Sequence, residues 1–337
     1  LGILSGLKMN LKGKKVFITG AGGFVGSHLA EALVKAGSRV RALVHYNSRN
    51  DWGMLEDLDK NILKEVEVVT GDIRDGEALK WMIKDQAVVF HLAALIGIPY
   101  SYVNPRDVIE TNILGSLNLL LAALDSNIDK FVHTSTSEVY GTAKYIPMDE
   151  KHPLNPQSPY AASKVSADQL ALSFYRSFSL PVGIIRPFNI YGPRQSARAV
   201  IPNMIIQGLE GSRLKLGSVF PSRDLTYVKD AVKGFISFAQ SDKTIGEVVN
   251  LGTGTEVSIS ELIDLVRRKF NKDLKAKSYK KRVRPQKSEV ERLVADTSKA
   301  KKLFKWKPET ELERGIENTI EWMKKNSWRY KKEIYNI

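Results

Sequence analysis

The stretch GAGGFVG, Gly20 to Gly26, limits what this chain can fold into more than any other. It follows a short β-rich apolar run, KKVFITG (14–20). It precedes FVGSHLAEALVKAG (24–37), whose apolar spacing is helical and which stops at a glycine. Gly20, Gly23 and Gly26 answer three needs: a tight turn, close approach of backbone N–H groups to a pyrophosphate, and close packing of helix on strand. The helix N-terminus then faces the anion. Strand, turn and helix together predict a dinucleotide site that includes Phe24 and Val25.

The rest of the chain repeats the alternation. RVRALV (39–44), VEVVTGD (66–72), AVVFHLAA (87–94), KFVHTST (130–136) and PVGIIRP (181–187) read as strands. GEALKWMIK (76–84), VIETNILGSLNLLLAAL (108–124) and SPYAASKVSADQLALSFYRSF (158–178) read as helices. This order predicts an α/β fold, a Rossmann-like doubly wound parallel sheet. After residue 187 the pattern loosens, VVNLGTG (248–254) returns to the sheet, and 258–325 reads as mostly helical. The expected division is a dinucleotide domain over 9–187, to which the chain returns at 225–254. A smaller, mostly helical substrate lobe takes 188–224 and 255–337.

Composition narrows the chemistry. The 337 residues contain no cysteine, which removes thiol catalysis, disulfides and Cys-ligated metals. No metal site is expected. No apolar run approaches the ~20 residues that span a bilayer; the longest, LNLLLAAL (117–124), reads as a core helix. Met9 is the expected start, with residues 1–8 an extension lacking the features of a signal peptide. The expectation is a cytoplasmic protein with no membrane partner. Formal charge is +14, and residues 271–337 hold 20 Lys and Arg against 10 Asp and Glu. Without a zinc-finger or RNA-binding pattern, the run KDLKAKSYKKRVRPQK (272–287) reads as a solvated surface plus a few anion-binding side chains, not as a nucleic-acid site.

The ribose end of the dinucleotide site is open. An acid about 20 residues past the glycines would hydrogen-bond the 2′-hydroxyl of NAD. The second strand ends ALVHYNSRN, with no acid at Val44, His45 or Tyr46 and with Arg49 nearby. NAD and NADP therefore both remain. His45 and Asn47, then Asp72 and Ile73 after the third strand, then Leu92, Ala93 and Ala94 after the fourth, and Pro187 are expected along the cofactor.

Tyr160 and Lys164 stand at i, i+4 and share a helix face. A phenol is a poor base at neutral pH, and a neighbouring ammonium favours its ionised form. Thr136, at the end of the fifth strand, can donate to the same substrate oxygen. Beside a nicotinamide, such a base takes a hydroxyl proton while hydride leaves carbon.

GAGGFVG, HLAA, YAASK, RPFNIYGPR and RDLTYVKD, in this order, resemble the extended short-chain dehydrogenase/reductases that modify nucleotide sugars. The resemblance runs from residue 12 to about 325. It implies a catalytic trio of Thr136, Tyr160 and Lys164. It also implies nucleotide-sugar contacts at Asn189 and Arg194, diphosphate contacts at Arg223 and Arg284, and a homodimer through a four-helix bundle. Leu117, Leu120, Leu121, Leu124, Leu170, Leu172, Phe174 and Tyr175 would meet the partner. The stretch TSTSEVYG (134–141) adds Glu138. A 4-epimerase has no use for a second base. A 4,6-dehydratase does, because a C4 ketone acidifies the C5 proton, which a carboxylate can take as the C6 hydroxyl leaves and hydride returns to C6. The TSE triplet resembles GDP-mannose 4,6-dehydratases, in which reading Ser137 or Glu138 would assist water departure, and nucleotide-sugar decarboxylases making UDP-xylose also carry TSEVYG. AALIGIPYSYVNP and GPRQSARAVIP resemble bacterial 4,6-dehydratases of legionaminic-acid-type pathways, which act on UDP- or GDP-linked N-acetylglucosamine. The implied cofactor is NAD(P)+, tightly bound and recycled. The alternatives are a UDP-glucuronate decarboxylase, against which Asp224 is read as an awkward neighbour for a carboxylate substrate, an NDP-sugar 4-epimerase, and a non-catalytic NAD(P)-sensing protein.

Overall fold

The computed structural model describes residues 9–331. The expected extension, residues 1–8, lies outside them. Seven parallel strands form the central sheet: β1 (Lys15–Thr19), β2 (Arg39–His45), β3 (Val66–Gly71), β4 (Val88–His91), β5 (Lys130–Thr134), β6 (Val182–Pro187) and β7 (Val248–Leu251). Their spatial order is β7-β6-β5-β4-β1-β2-β3. The chain reverses direction of growth between β1 and β4. That is the switch point at which ligands bind such sheets, outside the carboxyl ends of the strands.

Side chains alternate across the sheet, as a pleat requires. Val16 and Ile18 of β1 join one apolar cluster while Phe17 joins the other. Val88 and Phe90 of β4 likewise part from Val89. Helix α1 (Phe24–Lys35) lies on the first face. Helix α2 (Pro105–Asp125) and helix α3 (Pro159–Phe178) cover the other. Helix α4 (Val228–Gln240) returns to the α1 side, and its cluster runs on without a break into the helices Ile259–Phe270 and Leu312–Lys325. The two regions therefore share a core. A third, smaller cluster of Val139, Tyr140, Met148, Phe188, Val290 and Leu293 fastens the segment after β5 to the C-terminal chain.

The structure differs from the sequence reading in two places. Residues 271–297 hold no α-helix, only the short 3₁₀ turns Lys280–Arg282 and Gln286–Ser288: Lys275–Ser278 pairs in parallel with Arg213–Leu216, and Arg292–Leu293 pairs with Ser222–Arg223. Here short charged strands are set by partners about 60 residues away, which local periodicity does not register. Second, α2 is 21 residues long with hydropathy 1.3, long and apolar enough by length and composition to cross a membrane. Its apolar run looked short because Asn112 and Ser116 interrupt it. Both are buried and hydrogen-bonded: Leu95 N–H donates to Asn112 Oδ1 at 2.8 Å, and Ser116 Oγ donates to the Asn112 carbonyl at 2.6 Å.

Lys130, at the start of β5, is 0% exposed with no carboxylate bonded to it. Its Nζ donates to the Ser241 carbonyl at 3.1 Å and Thr244 Oγ1 at 2.7 Å. Burial pushes its pKa down from 10.5 to about 7. Between those values the unfolded chain binds a proton that the native state does not, so this group's contribution to stability rises with pH across that window. Lys130→Met should flatten the rise between pH 7 and 10, read by urea unfolding at each pH. An unchanged slope would place the amine in water.

Candidate active site

The glycine turn is built for close approach. Gly20 has φ +70°, and a Cβ there would lie 2.7 Å from the Ala93 nitrogen. A Cβ on Gly26 would lie 2.2 Å from the Gly20 carbonyl oxygen, so the helix packs on the turn only without one. The N-cap of α1, Gly23, offers no side-chain cap to the first turn, which leaves the amides of Phe24 and Val25 for an external acceptor. This cradle fits a pyrophosphate. The loop after β2 folds back on it, with Met54 N–H donating to the Gly22 carbonyl at 2.9 Å.

A buried relay fixes the β4 edge of the site. Ser116 gives its proton to the Asn112 carbonyl, so its oxygen accepts from His91 Nε2 at 2.9 Å. His91 Nδ1 then accepts from Thr19 Oγ1 at 2.8 Å, and Thr19 Oγ1 accepts Ala93 N–H at 3.1 Å. Burial, with His133 and Lys164 nearby, pushes His91 well below its usual range, so it stays neutral. Leu92, Ala93 and Ala94 are thereby held against the end of β1. Ile73 packs against Gly115, and Pro187 ends β6, two strands away from β4.

At the ribose end, His45 Nε2 lies 3.3 Å from Asp72, whose carboxyl Arg74 holds at a pKa of about 2. Asn47 is used within its own loop. Its Oδ1 accepts Asp51 N–H at 3.1 Å and its Nδ2 donates to the Asp51 carbonyl at 2.7 Å, which leaves it less free for a cofactor than expected. Arg49 lies 3.9 Å from Asp51.

The carboxyl ends of β5 and β6 gather the remaining groups. Ser158 caps α3 and Pro159 occupies its first turn, which sets Tyr160 and Lys164 on the inner face. Tyr160 is 7% and Lys164 3% exposed. Thr136 hydrogen-bonds the phenol, but burial outweighs it, and Glu138 and Asp168 push the same way, so the phenol lies well above its usual range. Burial also lowers Lys164 to about 8, against the pull of Asp168. In the protein alone the phenol is therefore not activated: burial raises it, and Lys164 is not among the groups that shift it. Ser137 is 2% exposed and Glu138 8% exposed. Glu138 N–H donates to Thr136 Oγ1 at 3.2 Å, and its carboxylate lies in the electrostatic reach of Tyr160 and Arg223.

The substrate-side residues divide. Arg223 and Arg284 converge: Glu289 Oε1 lies 3.8 Å from Arg223 Nη2 and 3.8 Å from Arg284 Nη1, while Ser218 donates to Glu289 Oε2 at 3.2 Å. Asn189 Oδ1 is buried with no partner. Arg194 is placed elsewhere, against α1, where its Nη2 meets Glu31 at 2.7 Å beside His28. Asp224 is buried and engaged by the chain itself. It accepts Thr253 N–H and Oγ1, Gly254 N–H and Ala295 N–H, all within 3.1 Å. The argument it seemed to supply against a decarboxylase does not hold.

The family model described as GDP-mannose 4,6 dehydratase matches residues 17–319. The chain belongs to this family of nucleotide-sugar dehydratases and epimerases. Within the family it is 32% identical to a dTDP-glucose 4,6-dehydratase of Streptomyces antibioticus over 92% of this chain and 92% of that one. It is 34% identical to a UDP-N-acetyl-alpha-D-glucosaminuronate decarboxylase of Bacillus cytotoxicus, covering 92% of this chain and 98% of that one. Among solved structures, a tyrosine-to-phenylalanine mutant of UDP-glucuronic acid 4-epimerase from Bacillus cereus, in complex with UDP-4-deoxy-4-fluoro-glucuronic acid and NAD, superposes with a TM-score of 0.85. It is 30% identical and covers 93% of this chain and 99% of that one. Family membership thus leaves three reactions within reach.

Sequence reading missed Asp168, although it extends the Tyr160–Lys164 stripe by one more i+4 step. It is 0% exposed, and its Oδ2 accepts from Ser135 Oγ at 2.7 Å and from Arg186 Nη2 at 2.9 Å and Nε at 3.1 Å. Burial raises its carboxyl, but His133, Arg186 and Lys164 together hold it below the usual range. Asp168→Asn leaves the Arg186 charge buried and unpaired, and should cost about 3–5 kcal/mol of stability by urea unfolding. A loss under ~1 kcal/mol would show that water reaches Arg186.

Proposed function

We propose that this protein is a nucleotide-sugar 4,6-dehydratase converting an NDP-hexose, UDP- or GDP-N-acetylglucosamine by its sequence resemblance, to the 4-keto-6-deoxy sugar. The observation that carries this reading is Glu138, a nearly buried carboxylate at the sheet's carboxyl edge, beside the phenol of Tyr160 and near Arg223. Hydride transfer and 4-epimerisation leave such a group without work. Elimination from C5 and C6 requires it.

The cradle from Gly20 to Gly26, with Leu92 to Ala94, Tyr160 and Lys164, would hold NAD(P), which when bound accepts hydride from C4 and returns it at C6. Tyr160 takes the C4 hydroxyl proton, steadied by Thr136. Burial alone keeps its phenol protonated, so the positive charge needed to ionise it comes from Lys164 and the oxidised nicotinamide together. Glu138 takes the C5 proton. That proton, passed through Glu138 or Ser137, leaves with the C6 hydroxyl as water, and the hydride returned at C6 is matched by a proton returned at C5 in place of the one Tyr160 took from the C4 hydroxyl, so the net change is loss of one water. Asn189, Arg223 and Arg284 would hold the nucleotide diphosphate. Arg194 is assigned no substrate contact, since it is paired with Glu31. NAD and NADP stay open, because no acid marks the ribose.

The second reading, decarboxylation of a sugar acid, gains from the engagement of Asp224 by the backbone. Incubation with UDP-, GDP- and dTDP-hexoses and the corresponding uronates, without added cofactor, separates the reactions. Loss of one water supports the dehydratase, loss of carbon dioxide the decarboxylase, and an isomer of equal mass the epimerase.

Tyr160→Phe should abolish every step. Glu138→Gln should lower water loss by about 10²–10⁴ while a 4-keto sugar retaining its C6 hydroxyl is trapped by borodeuteride. Dehydration at the wild-type rate would return Glu138 to a structural role.

A cytoplasmic homodimer working in carbohydrate biosynthesis completes the proposal. Its contact face needs revision, because Leu120, Leu172 and Phe174 are buried in their own core. The exposed large apolar residues on α2 and α3 are Ile109, Leu114, Leu121, Tyr175 and Phe178. Phe178→Asp with Leu121→Asp should halve the mass found by light scattering, and a wild-type monomer would refute the dimer.

A further inference from the structure

Two parallel strands of the C-terminal region place like charges directly opposite one another. Arg213 pairs in register with Lys275, and Lys215 with Lys277. All four side chains are exposed, while Leu214 and Leu216 between them point into the core. Like charges in register on one face destabilise a sheet. Here no carboxylate offsets them: none of the four makes an ion pair among the described residues. Lys215 Nζ instead lies 5.4 Å from the ring centre of Tyr279. A face built against its own stability in this way calls for an anion from outside the chain.

The direction of the strands indicates which anion. Being parallel, both lead out at the same end. Arg213–Leu216 continues into Gly217 and Ser218, and Ser218 hydrogen-bonds Glu289 between Arg223 and Arg284. Lys275–Ser278 continues through Tyr279 and Val283 to Arg284 itself. Tyr279 N–H donates to the Leu216 carbonyl at 2.8 Å, which keeps the two continuations together. The four cations therefore form a ladder whose exit is the arginine pair.

We propose that the ladder of Arg213, Lys215, Lys275 and Lys277 is an electrostatic approach for a nucleoside-diphosphate substrate, delivering the diphosphate to Arg223 and Arg284. This rests on the substrate class proposed above and adds how that substrate is captured. The ladder acts before contact, so it governs the association rate and leaves dissociation to the residues that hold the bound anion. Its effect must weaken as added salt shortens the Debye length to about 10 Å at 0.1 M. A nucleic acid or an acidic membrane would meet the same charge. However, neither needs the ladder to end at a pair of arginines that are less than one-tenth and about one-quarter exposed.

The test is stopped-flow binding of fluorescent N-methylanthraniloyl UDP and GDP to the full-length protein at several salt concentrations. The comparison is between wild type, Arg213→Gln/Lys215→Gln/Lys275→Gln/Lys277→Gln, and a charge-matched control, Lys301→Gln/Lys302→Gln/Lys307→Gln/Lys325→Gln, in exposed positions elsewhere. Removing the ladder should slow association about 10-fold at low salt, flatten the salt dependence, and leave dissociation unchanged. The control should stay close to wild type. Thermal melts check folding, and the ladder variant should melt no lower than wild type once the like-charge pairs are gone. Equal association rates and salt slopes in all three proteins would overturn the ladder's role and leave the substrate reading intact. A wild-type protein that binds neither nucleotide would overturn both. Tight wild-type retention of single-stranded DNA or phosphatidylserine vesicles, lost in the ladder variant while nucleotide association is unchanged, would assign the face to a macromolecule instead.

Discussion

Asp168 bonds three parts of the molecule at one buried carboxylate. Ser135 follows β5, Arg186 is in β6, and Asp168 itself is in the helix that carries Tyr160 and Lys164. An ionised carboxylate without partners is costly to bury. With Arg186 bound through two nitrogens and His133 Nε2 at 3.3 Å, the charge is retained and the helix is locked in rotation and height against the sheet. Arg186 then reaches Tyr140, and Tyr140 reaches Asn250 of β7. The network therefore spans three adjacent strands and the segment that presents Glu138. Misplacing Asp168 by one residue would turn Tyr160 and Lys164 off the site.

The electrostatics of the site follow from this rigidity. Burial raises the Tyr160 phenol and lowers the Lys164 amine, so both lean toward their neutral forms. A site poised this way gains its working charge from what binds in it. This agrees with the geometry of the glycine turn, where two missing side chains let the turn pack against the Ala93 backbone and the helix pack on the turn. On the far side, Glu289 lies between Arg223 and Arg284 at distances longer than a hydrogen bond. The two arginines are thus held near each other without being saturated, as a diphosphate site requires.

Much of the fold was legible because its signals are local. Short continuous runs of β-branched and aromatic residues, Val16-Phe17-Ile18 and Val88-Val89-Phe90, read as buried strands because of their length and the turn residues that bound them. The helical spacing of 158–178 places Tyr160 and Lys164 on one face. Asp168 was overlooked on that same face, since nothing local distinguishes a buried aspartate from a solvated one. The strand Lys275–Ser278 was missed for a related reason: a run of lysines becomes a strand only through its partner at Arg213–Leu216.

The sequence by itself determined the strand–glycine–helix entry, the alternation of strands and helices that builds a parallel sheet, the Tyr160–Lys164 stripe and the position of Glu138 just past β5. All of these depend on residues within a few positions of each other, where covalent geometry sets direction. Tertiary structure alone decided that Asp224 turns to the backbone of Thr253, Gly254 and Ala295, and that Arg194 pairs with Glu31 across 163 positions. It also decided that burial outweighs the Thr136 hydrogen bond at Tyr160. Orientation of a charged group and the water it loses depend on neighbours brought from distant segments, and these exist only once the chain has folded.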